Sequence, residues 1–219
     1  MPSRVIAIGD VHGCHAALRA IVEVIQPKPS DTLITLGDCI DRGPASRQVI
    51  GELLTLREKC HFVPLVGNHE ELMLNHLDGR PQPDDWLECG GAATLESYGA
   101  KLNPTAIPRE HIEFVRTWSD CFQTDSHFFV HASYEPSRPF AEQHWQTLRW
   151  HSLKSGVPAM HVSGRTAIVG HTSLKGGEIL NLGHLVCIDT YCWGGGWLTA
   201  LDVSSGQVWQ ADRDGRLRQ

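Results

Sequence analysis

The N-terminal third of the chain alternates between short apolar runs and stretches with helical spacing, and this alternation limits the fold more than any other feature. Val5 to Gly9 and Thr32 to Gly37 are apolar runs of strand length, and the apolar residues between 18 and 25 follow helical spacing. The pattern continues with a helix that Pro44 opens and a third apolar run from His61 to Val66. Such a pattern favours parallel strands joined by right-handed crossovers, so we predict an α/β core.

The second half of the chain adds five strand-like runs. They cover residues 127–131, 166–170, 185–189, 197–203 and 207–211, and we predict that the last two form a hairpin across Ser204, Ser205 and Gly206. We expect a second, largely antiparallel sheet and a sandwich of two sheets with helices outside. No linker or repeat divides the chain, so we interpret residues 1–219 as one domain with a cap or helical insertion around residues 79–118.

Composition excludes several classes of partner. The formal charge is −6, and the lysines and arginines are scattered, which argues against a nucleic-acid backbone as the partner. No apolar run approaches membrane-spanning length and the N-terminus does not resemble a signal peptide, so we expect a cytoplasmic protein without a membrane partner. The seven cysteines include no CxxC pair, which indicates neither a disulfide framework nor a structural zinc site.

Three polar clusters, GDVHG, GDCIDRG and GNHE, follow the first three predicted strands directly. Because the carboxyl ends of parallel strands meet at one edge of a sheet, the clusters should converge. Asp10 and His12 offer a carboxylate and an imidazole to one metal ion. Asp38 can bridge two cations roughly 3.5 to 4 Å apart, as two-metal hydrolases require. Asn68, His131 and His171 can complete the shell of the second ion.

Each of these motifs taken alone is more often a turn or a loop than a metal site. Their joint occurrence after successive strands is what indicates a dinuclear centre. Two divalent cations bring four positive charges, of which Asp10, Asp38 and a bridging hydroxide remove three, so the site should attract a phosphate group.

The order GDVHG, GDCIDRG, GNHE, His131-Ala132 and Gly170-His171 resembles the phosphoprotein phosphatase family of metallophosphoesterases. Two further segments, WLECGGAATLESYG and LVCIDTYCWGGGWLTALDV, look like the cap and closing strands of small bacterial and phage members such as lambda phosphatase. The resemblance implies the calcineurin-like fold, an α/β (α+β) sandwich of two packed mixed sheets flanked by helices. It also implies hydrolysis of phosphoserine, phosphothreonine or phosphotyrosine by in-line attack of a hydroxide that bridges two metal ions.

The resemblance assigns roles residue by residue. It implies Mn²⁺ ions, with iron, zinc, nickel or cobalt as alternatives; the first is held by Asp10, His12 and Asp38, and the second by Asp38, Asn68, His131 and His171. It implies that His69 protonates the leaving oxygen, that Asp41 orients His69, and that Arg42 binds the phosphate. The substrate would be a phosphorylated protein or a small phosphoester.

The chain departs from the family pattern in two places. Cys89-Gly90-Gly91 stands where the cap segment commonly reads Asn-Gly-Gly, and Ser152 stands where the phage enzyme has a second phosphate-binding arginine. Arg149 is the first candidate for the second phosphate-binding arginine, and Arg165 is the next candidate. Of the seven tryptophans, we place Trp193 near the site.

Two other functions remain open. A symmetrical diadenosine tetraphosphate hydrolase would share GDVHG and GNH, although such enzymes tend to differ at the position of Asp41 and to read GNHD instead of GNHE. A non-catalytic module that binds phosphorylated partners would be expected to have lost a metal ligand or His69, and all of these residues are present. The sequence leaves the oligomeric state open.

Overall fold

The computed structural model describes residues 3–82 and 84–219, whose longer strands form two five-stranded sheets. The strands are β1 (Val5–Ile8), β2 (Thr32–Thr35), β3 (His61–Pro64), β4 (Cys121–Gln123), β5 (His127–Val130), β6 (Thr166–Val169), β7 (Leu180–Asn181), β8 (Leu185–Cys187), β9 (Leu198–Asp202) and β10 (Val208–Ala211). The α-helices are α1 (His15–Ile25), α2 (Ser46–Lys59), α3 (Asn68–Leu77), α4 (Ala92–Ser97), α5 (Arg109–Arg116) and α6 (Trp145–Trp150). None of these helices is long and apolar enough to cross a membrane.

The first sheet has the order β10-β9-β1-β2-β3. Its β1, β2 and β3 are parallel, as predicted, and β9 and β10 form the predicted antiparallel hairpin. We expected this hairpin in the second sheet, and that prediction was wrong, because β9 pairs with β1. All five residues of β9 are buried, so the strand suits an interior position beside β1.

The second sheet has the order β4-β5-β6-β8-β7. Its three inner strands are parallel, and only its edge pairs are antiparallel, so the expectation of a largely antiparallel sheet was also wrong. The physical reason is the length of the chain between β5, β6 and β8, which is sufficient for crossover connections. The broader prediction of two mixed sheets flanked by helices is confirmed.

Apolar side chains from both sheets meet in a common core. Ala7, Ile34 and Leu36 from the first sheet pack with Phe129 and Ile168 from the second, and all are buried. The opposite face of the first sheet is covered by α1 and α2, whose apolar faces belong to a second cluster. The packed sheets therefore hold the ends of their strands in fixed relative positions.

The stretch from residue 79 to residue 118 contains a π-helical turn (Leu87–Gly91), α4, a 3₁₀ turn (Pro104–Ala106) and α5. Pro83, within it, lies outside the described residues. Trp86 is fully buried in the cluster that also contains residues of α1 and α2. We expected a cap or a helical insertion here, and the stretch does contain helices. Its role as a cap and the single-domain assignment of residues 1–219 stay predictions.

Glu70 ties the loop after β2 to the first turn of α3. Its buried carboxylate accepts hydrogen bonds from the backbone N–H groups of Asp38 (2.8 Å), Cys39 (2.8 Å), Ile40 (3.4 Å) and Gly67 (2.9 Å). Four donors converge on one side chain, so the two loops that follow β2 and β3 are fixed to each other.

We predict that Glu70→Gln lowers the free energy of unfolding by about 2 to 4 kcal/mol, since an NH₂ group would face backbone donors that need an acceptor. Urea unfolding in the presence of a chelator measures this without a contribution from bound metal. Glu58→Gln, at an exposed position of α2, is the control and should change stability by less than about 0.5 kcal/mol. Equal stability of Glu70→Gln and wild type would contradict the role given to the carboxylate.

Candidate metal centre

The six predicted metal ligands follow strands that end at the same edge of the sandwich. Asp10 and His12 follow β1, Asp38 follows β2, Asn68 begins α3 after β3, His131 follows β5 and His171 follows β6. The backbone N–H of His171 donates to both carboxylate oxygens of Asp10, at 3.2 and 3.1 Å, across 161 residues of sequence. The structure therefore brings the ends of both sheets together.

Asp38 lies at the centre of the group. Its Oδ2 lies 3.5 Å from His12 Nε2, and its Oδ1 lies 3.4 Å from His131 Nε2. Asn68 Oδ1 lies 3.1 Å from His131 Nε2 and 3.0 Å from His171 Nδ1. Two sets of donor atoms, one from His12 and His69 and the other from His131 and His171, therefore share the Asp38 carboxylate, as a bridging ligand requires.

Hydrogen bonds to backbone carbonyls orient the imidazoles. His12 Nδ1 donates to the carbonyl of Ile40 at 2.9 Å, and His131 Nδ1 donates to the carbonyl of Leu36 at 2.7 Å. Since Nδ1 carries the proton in each, Nε2 presents its lone pair toward Asp38.

Burial keeps these imidazoles in the neutral form that binds metals. It lowers the pKa of His12 and of His131, and burial together with His131 lowers the pKa of His171 to about 4. Burial, followed by the charges of Asp189 and Asp38, raises the pKa of Asp10 well above its usual range. Crowded buried carboxylates among neutral imidazoles are stabilised by cations, so this donor set fits divalent metal ions.

His69 and Asp41 form a second hydrogen-bonded pair beside this group. His69 Nδ1 lies 2.7 Å from Asp41 Oδ2, and its Nε2 lies 3.9 Å from Asp38 Oδ2. Burial opposes the charge on His69, but Asp38 and Asp41 outweigh it and raise the pKa of this imidazole above its ordinary value. Asp41 also accepts hydrogen bonds from Trp86 Nε1 (2.9 Å) and Thr94 Oγ1 (2.6 Å).

The backbone at the site is strained. His12, Asp38, Asp41, Arg42 and His171 have φ angles of 44°, 49°, 69°, 68° and 58°. Non-glycine residues in this region cost of order 1 to 3 kcal/mol each, and they cluster at functional sites. The backbone at Gly67 and Gly170 lies too close to the carboxylates for a side chain. A Cβ at Gly67 would lie 2.2 Å from Asp38 Oδ1, and a Cβ at Gly170 would lie 2.2 Å from Asp10 Oδ1.

Arg42 contacts the site from the solvent side. Its NH1 lies 3.0 Å from His12 Nε2, and its guanidinium lies 4.9 Å from the centre of the Trp193 ring. The Trp193 ring packs edge-on against His12 at 6.2 Å. Gly90 holds the backbone of Arg42, whose N–H donates to the Gly90 carbonyl at 3.2 Å.

The other two candidate arginines have different contacts. Arg149 Nε donates to Asp120 Oδ1 at 2.6 Å, and its NH1 donates to Glu71 Oε2 at 3.1 Å, so its guanidinium is paired with carboxylates. Arg165 precedes β6 and is bonded to Gln123, so it lies at the end of β6 opposite to His171. The geometry therefore argues against Arg165 as a phosphate ligand.

Sequence reasoning missed three of the supporting residues. Asp189 is buried near Asp10 and accepts a hydrogen bond from Ser173 Oγ at 2.8 Å. It follows the apolar run of β8 as Asp10 follows β1, and this signal could have identified it. Trp86 and Thr94 contact Asp41 from a stretch whose pattern gave no sign of that contact.

Comparisons with known proteins agree with the fold. The chain is 38% identical over 65 residues to a symmetrical bis(5'-nucleosyl)-tetraphosphatase of Burkholderia pseudomallei, a match that covers 30% of this chain and 22% of that protein. The crystal structure of a putative diadenosine tetraphosphatase has the same fold (TM-score 0.72, 21% identity, 96% of this chain and 94% of that one). The structure of a cold-active protein-tyrosine phosphatase of a psychrophilic Shewanella species also has this fold (TM-score 0.64, 16% identity, covering 100% of this chain and 80% of that one).

The matched part of the Burkholderia protein is less than a quarter of its length, and the identities to the solved structures are low enough to indicate the fold alone. The model of one family, however, matches residues 3–191, which is most of the chain. The chain therefore belongs to the calcineurin-like phosphoesterase family.

Proposed function

We propose that this protein hydrolyses phosphoesters at a centre of two divalent metal ions. The observation that carries the proposal is the position of Asp38, whose two carboxylate oxygens face different sets of metal-binding side chains. When bound, such ions lower the pKa of water so that it can attack phosphorus near neutral pH. Mn²⁺ is the preferred candidate, with iron, zinc, nickel or cobalt as alternatives.

Six residues would hold the ions. Asp10, His12 and Asp38 would bind the first, and Asp38, Asn68, His131 and His171 would bind the second. The carbonyl partners of His12 and His131 support this assignment, because they aim Nε2 of each ring toward the shared carboxylate.

His69 would supply the proton that the leaving oxygen requires. The hydrogen bond to the Asp41 carboxylate favours the protonated form of His69 and fixes the orientation of its ring. The hydrogen bonds from Trp86 and Thr94 hold Asp41 in place. Arg42 would bind the transferring phosphoryl group, because its guanidinium lies at the exposed edge of the same group of residues.

Arg149 as a second phosphate contact stays a weaker proposal. The guanidinium would have to leave Asp120 and Glu71 to reach a phosphate. A phosphate role predicts a raised KM in Arg149→Ala, whereas a structural role predicts a lower Tm with KM unchanged.

Two substrate classes are supported by different observations. The cap and closing-strand segments resemble those of protein phosphatases, which favours phosphoserine, phosphothreonine or phosphotyrosine in proteins. The 38% identity over 65 residues to the Burkholderia protein, which is named a symmetrical bis(5'-nucleosyl)-tetraphosphatase, favours a dinucleoside tetraphosphate. A non-catalytic module is the least supported, because no predicted ligand is missing from the sequence and His12, Asp38, His69, His131 and His171 form two groups that could each hold a metal ion.

We predict that the manganese-loaded protein hydrolyses p-nitrophenyl phosphate, and a substrate panel then decides between the two classes. The panel compares kcat/KM for phosphoserine, phosphothreonine and phosphotyrosine peptides with that for diadenosine tetraphosphate. If kcat/KM is at least about tenfold higher for one class, that class is assigned as the substrate. The ratio of the two kcat/KM values reports the difference in binding of the two transition states. No hydrolysis of any substrate with any of the candidate metals would contradict the proposed function.

We predict that removal of metal with a chelator abolishes hydrolysis and that Mn²⁺ restores it. The proposed ligands are all protein side chains, so the bound ions can exchange with ions in solution. Asp38→Asn should lower kcat by more than about 100-fold, since a neutral amide bridges two cations poorly. Asp125→Asn, in an exposed turn, is the matched control and should retain wild-type rates. Full activity in the stripped protein would rule out a metal-dependent reaction.

We predict that His69→Asn lowers kcat by roughly 10²- to 10⁴-fold without loss of bound metal, as expected for removal of a general acid. The loss should be smaller for p-nitrophenyl phosphate, whose leaving group needs little protonation, than for a phosphoserine peptide. Asp41→Asn should have the same effect in weaker form, and His151→Asn at an exposed position should have none. Equal losses on both substrates would show that His69 does not donate the proton.

A further inference from the structure

A groove of about 500 Å³ adjoins the candidate metal centre at Arg42. One wall is the first turn of α1 with the preceding Gly13 and Cys14, and another is the segment from Gly43 to Gln48. Trp193 separates it from His12, and the turn after β10 closes it with Arg213 and Asp214. The groove is therefore continuous with the residue proposed to bind the transferring phosphoryl group.

The charges that line this groove are suited to an anion. Arg42 and Arg213 are both exposed, and the guanidinium of Arg213 has no hydrogen-bonding or ion-pair partner among residues 3–82 and 84–219. Asp214, the carboxylate of the lining, accepts a hydrogen bond from Arg216 at 3.0 Å. Arg216 offsets part of the charge of Asp214, since it also lies 3.6 Å from Asp212 Oδ2. Arg42 uses NH1 for its contact with His12, so its other N–H groups and the guanidinium of Arg213 can bind phosphate oxygens.

The size of the groove favours a small molecule. Ligand sites for small molecules occupy about 300 to 1,000 Å³, and this groove lies within that range. A protein substrate would lie across a broader surface. Arg42 and Arg213 line the same groove, so one ligand with several phosphates can contact both guanidinium groups.

We propose that this groove, which we call the distal groove, binds the second phosphate of an oligophosphate ester whose scissile phosphoryl group lies at Arg42. Arg213 is the contact for that second phosphate. The inference rests on the proposed function and assigns its substrate to the small oligophosphates. Arg213 selects the substrate without touching the reacting atoms. Water loses a proton to solvent as its oxygen bonds to phosphorus, the bond to the leaving oxygen breaks, and that oxygen takes its proton from His69, which is reprotonated from solvent.

Binding of inorganic tripolyphosphate to metal-free protein tests the groove without any need for catalysis. Isothermal titration calorimetry should show that Arg213→Ala raises Kd roughly tenfold, as for loss of one charge-assisted contact. Arg213→Lys should lose less, since it keeps the charge. Arg19→Ala, an exposed arginine of α1 paired with Glu23, is the control and should match wild type. An unchanged Kd in Arg213→Ala would overturn the proposal.

Catalysis provides the second readout. In Arg213→Ala, the kcat/KM for diadenosine tetraphosphate should fall roughly tenfold more than that for p-nitrophenyl phosphate, which has no second phosphate. Equal changes on the two substrates would overturn the assignment of the groove. A selective loss on a phosphoserine peptide with neighbouring acidic residues would show that the ligand class is wrong. Absence of hydrolysis by wild type would contradict the proposed function, while the calorimetry would still decide whether Arg213 binds oligophosphate.

Discussion

The carboxylate of Glu70 is the interaction on which the geometry of the site depends most. It joins the N-terminus of α3 to the loop that carries Asp38 and Asp41 through three backbone hydrogen bonds, and a fourth holds Gly67 at the start of the helix. This loop includes positive φ angles at Asp38 and Asp41, which a free chain would rarely adopt. Because Asn68 and His69 belong to the same turn of α3, one buried side chain fixes both the shared carboxylate and the proposed proton donor.

The helical stretch that follows α3 takes part in the site through Asp41. Trp86 and Thr94 both donate to that carboxylate, and Thr94 also contacts Ser46 at the start of α2. The stretch therefore holds the partner of His69 in one orientation in addition to covering apolar surface. The packing of residues 79–118 therefore affects the proposed proton donor through its hydrogen bonds to the Asp41 carboxylate.

The sequence predicted those parts of the molecule that depend on local patterns. Apolar runs located the strands, and polar residues directly after them located Asp10, Asp38 and His131, because parallel strands end at a common edge. It did not predict that β9 would pair with β1, since alternation of apolar residues does not identify a neighbouring strand. The contacts of Thr94 and Arg149, and the position of Arg213 in the groove that Arg42 also lines, depend on packing between distant segments. No local pattern carries that information.

The central claim is that Asp38 is shared by two metal ions. Crystals grown with Mn²⁺ and measured near the manganese absorption edge test it most directly, because anomalous scattering locates each ion independently of the protein. The account predicts two peaks roughly 3.5 to 4 Å apart, one on each side of the Asp38 carboxylate. A single peak, or peaks that do not contact Asp38, would contradict it.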